Sequence, residues 1–211
     1  KNTFFTDEEI KQGVSIKRDL VNQGEITNDI KVEDAIKTHR NNLIDIKLNH
    51  TMRVVKYVTK MAEKMDLDID FTKVLKVSAL LHDIARFDQA TWANSFQDRE
   101  CKQFNGMYHA DFGYHILYVN KRINDFKIPE NFKFAVMQPV KFHQIPNVTG
   151  DLALKFTNKN ELDVNKILTG SENLNEAEKI IVATLVQMVK DDDMLDILYQ
   201  HLTNEFPVTR P

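Results

Sequence analysis

Few residues in this 211-residue sequence break helices or cross-link a chain. It contains one cysteine, six glycines, five prolines and one tryptophan. A single cysteine excludes an intrachain disulfide and is typical of a protein in a reducing compartment. The scarcity of glycine and proline favours helices joined by short connections. We therefore predict an all-α protein of the cytoplasm.

The sequence also lacks a strong charge of one sign and a long hydrophobic run. It has 28 basic and 31 acidic side chains and a formal net charge of −3 at pH 7, which gives no reason to expect nucleic acid as a partner. The longest apolar run, residues 180–189, contains Thr184 and Gln187 and is too short to span a bilayer. Because the first residues lack a basic start and an apolar core, we expect no signal peptide and no membrane partner.

Apolar periodicity and capping residues predict a succession of helices. The first begins at Thr6, and the others cover about residues 32–46, 49–65, 70–86, 108–119, 130–142 and 175–202. Residues 92–105 have no clear period and are predicted to form a loop. Near residues 145–172, where alternating apolar residues follow Gly150, we expect a short hairpin or an irregular insertion.

Two strong metal ligands, His82 and Asp83, are adjacent within the otherwise apolar run 77–85. A buried carboxylate is costly unless it is paired or coordinates a cation. Successive helix positions are about 100° apart, so both side chains can reach one ion on the same helix face. The alternative is that the helix leaves the core here and that both side chains are solvated. The dipeptide alone leaves these two interpretations open.

Further histidines and carboxylates support a metal site. His50 precedes the dipeptide, His109 and His143 follow it, and several acids occur in the helical stretch 189–198. A mixed set of histidine and carboxylate ligands is typical of catalytic rather than structural metal sites. For His109 and His143, a role in packing is the alternative.

The order and local sequence of these blocks resemble the HD-domain metal-dependent phosphohydrolases. The blocks that carry the resemblance are His50-Thr-Met-Arg-Val, Leu80-Leu-His-Asp-Ile-Ala-Arg-Phe-Asp-Gln89, His109-Ala-Asp-Phe-Gly, Phe142-His-Gln144 and Asp191-Asp-Asp-Met-Leu-Asp-Ile-Leu198. The resemblance implies a single-domain helical bundle. We expect an N-terminal helical extension over residues 1–34, the HD domain over 35–203 and a C-terminal tail over 204–211.

The resemblance implies a ligand set, carried over residue by residue. The principal metal would be held by His50, His82, Asp83 and Asp193. Because three acids are consecutive in the last block, Asp192 is the alternative to Asp193. His109 and His143 match the histidines that bind a second metal in some members, with Asp83 bridging. The implied cofactor is one or two divalent ions, of Mn, Mg, Co, Ni, Zn or Fe.

The implied activity is hydrolysis of a phosphate ester of a nucleotide or another small molecule by metal-activated water. Arg53 and Arg86 would bind the phosphoryl oxygens, because arginine offers a bidentate fork; surface ion pairs are the alternative for both. Residues that would line the substrate pocket are Gln89, Trp92, Phe96 and Asp192. For Trp92 and Phe96, anchoring of a lid in the core is the alternative.

Two other functions remain open at this point. A few HD-domain proteins with the fuller ligand set hold two irons and activate oxygen. A degenerate domain that only binds a nucleotide or a partner is also open, because Met194 stands where the family usually has lysine. The sequence leaves the choice between monomer and homodimer undecided.

Overall fold

The computed structural model describes residues 5–143 and 172–203, with side chains up to residue 200. Most of the predicted insertion near 145–172, the tail 204–211 and Gln144 lie outside these residues. The described part contains helices and no strand, which confirms the predicted all-α class. Within that part, no helix is both long enough and apolar enough to cross a membrane.

Seven α-helices form the described part of the chain. In chain order they are α1 (Asp7–Asn22), α2 (Val32–Lys64), α3 (Ile69–Leu81), α4 (Ile84–Ala93), α5 (His109–Tyr118), α6 (Glu130–Phe142) and α7 (Glu176–Thr203). Short 3₁₀ turns cover Asp98–Glu100, Lys102–Phe104 and Arg122–Asp125. The predicted start of α1 is confirmed, because Thr6 and Glu9 form a reciprocal capping box.

Three predicted boundaries were wrong. The helices expected at 32–46 and 49–65 are one helix, α2, because Lys47 and Leu48 between them are good helix formers. The helix expected at 70–86 ends at Leu81, and α4 begins after a two-residue turn. There the ring of His82 bonds to the Ala79 carbonyl oxygen at 2.6 Å and competes with the helical backbone. The loop expected at 92–105 contains the end of α4 and two 3₁₀ turns.

The chain divides into two compact units. The first comprises Lys1–Asn49 and Arg86–Gly106, and the second comprises His50–Ala85 and Met107–Pro211. The limits of these units do not coincide with the predicted domain boundaries after residues 34 and 203. Those boundaries stay predictions.

The second unit has an apolar core to which five helices contribute. Fully buried members are Val54 and Val58 of α2, Leu75 of α3, Leu117 of α5, Val136 and Val140 of α6, and Leu185, Val186 and Val189 of α7. Each such side chain contributes about 1.5–3 kcal/mol relative to an exposed one. Since α2, α3, α5, α6 and α7 share this core, polar side chains on their inner faces are held at fixed positions.

The end of α2 offers a test of backbone strain. Asp66 has a φ of 51°, in the left-handed region, and Leu67 N–H donates to the Ala62 carbonyl oxygen at 3.0 Å. This is the helix ending that glycine favours. We expect Asp66→Gly to raise the free energy of unfolding by about 0.5–1 kcal/mol, measured by urea denaturation. The matched variant Glu63→Gly, at an exposed helical position, should lower it by about 1 kcal/mol.

Candidate metal centre

Four ligand atoms of the second unit converge between α2, the turn after α3, and α7. The Nε2 atom of His50 lies 3.2 Å from His82 Nε2, 3.4 Å from Asp83 Oδ2 and 3.1 Å from Asp193 Oδ1. His82 Nε2 lies 3.6 Å from Asp83 Oδ2 and 3.7 Å from Asp193 Oδ1. Ligands about 2.0–2.2 Å from one ion are roughly 2.8–3.6 Å from their neighbours at octahedral or tetrahedral angles. This group, the first ligand group, therefore has the spacing of a metal site.

A second ligand group shares Asp83. Its other carboxylate oxygen, Oδ1, lies 3.3 Å from His109 Nε2 and 3.6 Å from His143 Nε2. The two Nε2 atoms lie 3.3 Å from each other. Both histidines are buried, at 4% and 2% exposure. The two oxygens of one carboxylate thus face two adjacent pairs of histidines, whose rings approach each other where the centroids of His82 and His143 lie 4.9 Å apart.

Packing of α5 on α6 brings the second ligand group together. His109 is the first residue of α5, and His143 caps the end of α6. One turn after His109, Gly113 faces α6, where an added Cβ would lie 3.3 Å from Val140 Cγ1. The small residue at this position lets the two helices approach closely.

Hydrogen bonds fix the proton positions on three of the imidazole rings. His82 Nδ1 bonds to the Ala79 carbonyl oxygen at 2.6 Å, and His143 Nδ1 bonds to the Val140 carbonyl oxygen at 2.8 Å. His50 Nδ1 lies 2.7 Å from Asp196 Oδ2. Carbonyl and carboxylate oxygens only accept, so a neutral ring bound in this way carries its proton on Nδ1 and its lone pair on Nε2. The Gln200 amide nitrogen also lies 3.3 Å from His50 Nδ1, and the contact of Nδ1 with the Asp196 carboxylate is the shorter one.

The lone pairs of neighbouring rings consequently point at each other. His50 Nε2 and His82 Nε2 are only 3.2 Å apart, and neither is a donor when its ring is neutral. Two facing lone pairs repel, and a cation between them removes the repulsion. The donor set therefore fits a bound metal ion better than direct contact between the side chains.

Burial and neighbours set the charges in both groups. Burial alone would raise the pKa of Asp193, but its contacts with His50 and His82 hold that pKa well below the ordinary value of an aspartate. Burial lowers the pKa of His143, and Asp83 opposes this only in part. Asp193 is thus an anion and His143 a neutral ring at neutral pH, which are the forms that bind metal.

Asp196 and Gln200 were not among the residues that the sequence predicted for the site. Asp196 is fully buried and accepts hydrogen bonds from His50, Arg53 and Gln200. Burial alone would raise its pKa, but these bonds hold it below the ordinary value. Their spacing along α7 could have identified both residues from the sequence, because residues three and seven positions after Asp193 share its helix face.

The structure separates the two acids between which the sequence could not choose. Asp193 belongs to the first ligand group, whereas Asp192 belongs to neither group. Asp192 is 2% exposed, and burial together with the charge of Asp191 raises its pKa to about 6. Its Oδ2 atom has no hydrogen-bond partner among the described residues.

Arg86 and the predicted pocket residues Gln89, Trp92 and Phe96 belong to the first unit. Arg86 Nη1 donates to Gln89 Oε1 at 2.6 Å, to the Phe96 carbonyl oxygen at 2.5 Å and to Asp98 Oδ1 at 2.9 Å. Gln89 is buried, and Trp92 is 39% exposed. Their roles in binding phosphate or substrate stay predictions.

Comparison with known proteins identifies the family. Residues 48–188, well over half of the chain, match the HD domain family. This range includes both histidine pairs and Asp83, and it ends before Asp193. No curated protein and no solved structure gives a significant match to the chain. The order of the ligand residues, the helical fold and this match lead to one conclusion: the chain belongs to the HD-domain family.

Proposed function

We propose that this protein is a metal-dependent phosphohydrolase that cleaves a phosphate ester of a nucleotide or another small molecule. The observation that carries the proposal is the shared carboxylate of Asp83, whose two oxygens face the two ligand groups at 3.3–3.6 Å. Two adjacent groups that share a ligand are the arrangement of two-metal phosphoesterases.

His50, His82, Asp83 and Asp193 would hold one divalent ion, and Asp83, His109 and His143 would hold the other. Bound divalent ions supply a water of lowered pKa and positive charge for the phosphoryl oxygens. Imidazole binds a metal ion in its neutral form, and aspartate binds it in its ionised form. Two divalent ions held by neutral imidazoles and two ionised carboxylates would leave the loaded site with net positive charge, which favours an anionic substrate.

The same donor set supports an alternative, a di-iron oxygenase, because imidazole and carboxylate together also suit iron. One experiment distinguishes the two activities. The purified protein is stripped with a chelator and reloaded with Mn, Mg, Co, Ni, Zn or Fe. Phosphate release from a panel of nucleotides and from p-nitrophenyl phosphate is then measured beside oxygen consumption. Metal-dependent phosphate release supports the hydrolase; oxygen uptake that requires iron, without phosphate release, refutes it.

Removal of a ligand from the first group should abolish metal binding there. We expect His82→Ala to lose the ion of the first ligand group and to lower turnover more than about 100-fold, because a ligand matters more than the residues that orient it. Metal content by mass spectrometry and steady-state kinetics measure both effects. His115→Ala, a half-buried histidine of α5 outside both groups, is the matched control and should retain metal. Stoichiometric metal in His82→Ala would contradict the assignment.

The second ligand group makes a separate prediction. In the double variant His109→Ala/His143→Ala we expect the metal content to fall from two ions to one per chain, since only Asp83 remains at that position. Isothermal titration with Mn²⁺ should show loss of one class of site. Wild-type stoichiometry together with wild-type turnover in this variant would rule out the two-metal arrangement.

A further inference from the structure

Asp196 is a buried anion between three donors. Its carboxylate has no exposed surface, and it receives hydrogen bonds from His50 Nδ1, from two nitrogens of Arg53 and from Gln200 Nε2. A buried carboxylate with this many donors is held in one orientation. It lies behind His50, on the side of the ring opposite the first ligand group.

Arg53 binds the Asp196 carboxylate through two nitrogens of its guanidinium group. Nε lies 2.6 Å from Asp196 Oδ1, and Nη2 lies 3.2 Å from Asp196 Oδ2. This is the bidentate geometry that fixes an arginine and a carboxylate relative to each other. Arg53 is one turn after His50 on α2, so the same helix presents both donors to the carboxylate on α7. The side-on edge of the guanidinium group, Nε and Nη2, is thus occupied by Asp196.

We propose that Arg53 and Asp196 are positioning residues for the metal ligand His50: Asp196 holds its ring and Nδ1 proton, and Arg53 holds Asp196. The proposal rests on the proposed function in one respect, that the first ligand group binds a metal ion. It replaces the phosphate-binding role that the sequence suggests for Arg53.

The chemistry of an amide at position 196 shows what the carboxylate contributes. A carboxylate can only accept, so it selects the ring form with the proton on Nδ1 and the lone pair on Nε2, facing the ligand group. An asparagine can instead donate its N–H to Nδ1. The ring proton would then move to Nε2, where it blocks coordination.

The form of the His50 ring can be tested in the metal-free protein without any variant at position 196. Long-range ¹H–¹⁵N NMR of the stripped protein distinguishes the two neutral ring forms, and His50→Gln assigns the resonances. We expect the Nδ1–H form of His50 in the wild type. The Nε2–H form would overturn the proposal. This measurement depends neither on turnover nor on bound metal.

Metal titration provides the second test. We expect Asp196→Asn to weaken Co²⁺ at the first ligand group by about 10–100-fold and to change its visible absorption spectrum, as removal of a residue that orients a metal-binding histidine does elsewhere. The second class of site should be unchanged. Asp191→Asn is the matched control, because Asp191 is an exposed acid on the same helix outside both groups. Equal Co²⁺ affinity in Asp196→Asn and the control would overturn the proposal.

Arg53→Gln separates positioning from phosphate binding. A positioning role predicts weaker Co²⁺ binding, by about 3–10-fold, with a shifted Co²⁺ spectrum. A phosphate-binding role predicts unchanged Co²⁺ affinity with a raised KM, and this result would overturn the proposal for Arg53. Arg122→Gln, which breaks an exposed pair with Asp125, is the control and should change neither quantity. Absence of Co²⁺ binding in the wild type would refute the proposed function. The NMR experiment would then still test whether Asp196 holds the proton of His50 on Nδ1.

Discussion

The buried carboxylate of Asp83 is the group on which the rest of this centre depends. At 2% exposure an ionised aspartate is stable only where positive charge or donors compensate the lost hydration. Its two oxygens face the Nε2 atoms of four histidines. Divalent cations bind both carboxylate oxygens and imidazole nitrogens, so this arrangement fits bound cations.

The rigidity of the rings comes from ordinary backbone structure. His82 and His143 each bond back to a carbonyl oxygen three residues earlier, Ala79 and Val140, at the ends of α3 and α6. The last carbonyls of a helix have no partner within the helix, so a histidine placed just after the helix end can donate to one of them. In both cases the helix terminus orients the histidine ring. His50 lies inside a long helix, where no free carbonyl is available, and it is held by the carboxylate of Asp196.

The helical class of the fold could be predicted from single residues and their sequence neighbours. The capping box of Thr6 and Glu9, the apolar periodicity of the helical segments and the scarcity of glycine and proline were enough for the helical class. The positions of the helix ends were harder. No local signal separates 32–46 from 49–65, because the polar residues between them are good helix formers, and the break at His82 arises from a bond made by its own side chain.

The sequence by itself determined the chemical types of the candidate ligands, their order, and their occurrence in apolar helical segments, because these follow from residue identity and period. It could not decide between Asp192 and Asp193, since both are buried and differ only by a rotation of about 100° around α7. The contacts of α7 with the rest of the core fix that rotation. Nor could it tell that Arg53 faces a carboxylate 143 residues away. Only tertiary packing, which brings α2 against α7, decided which atoms meet.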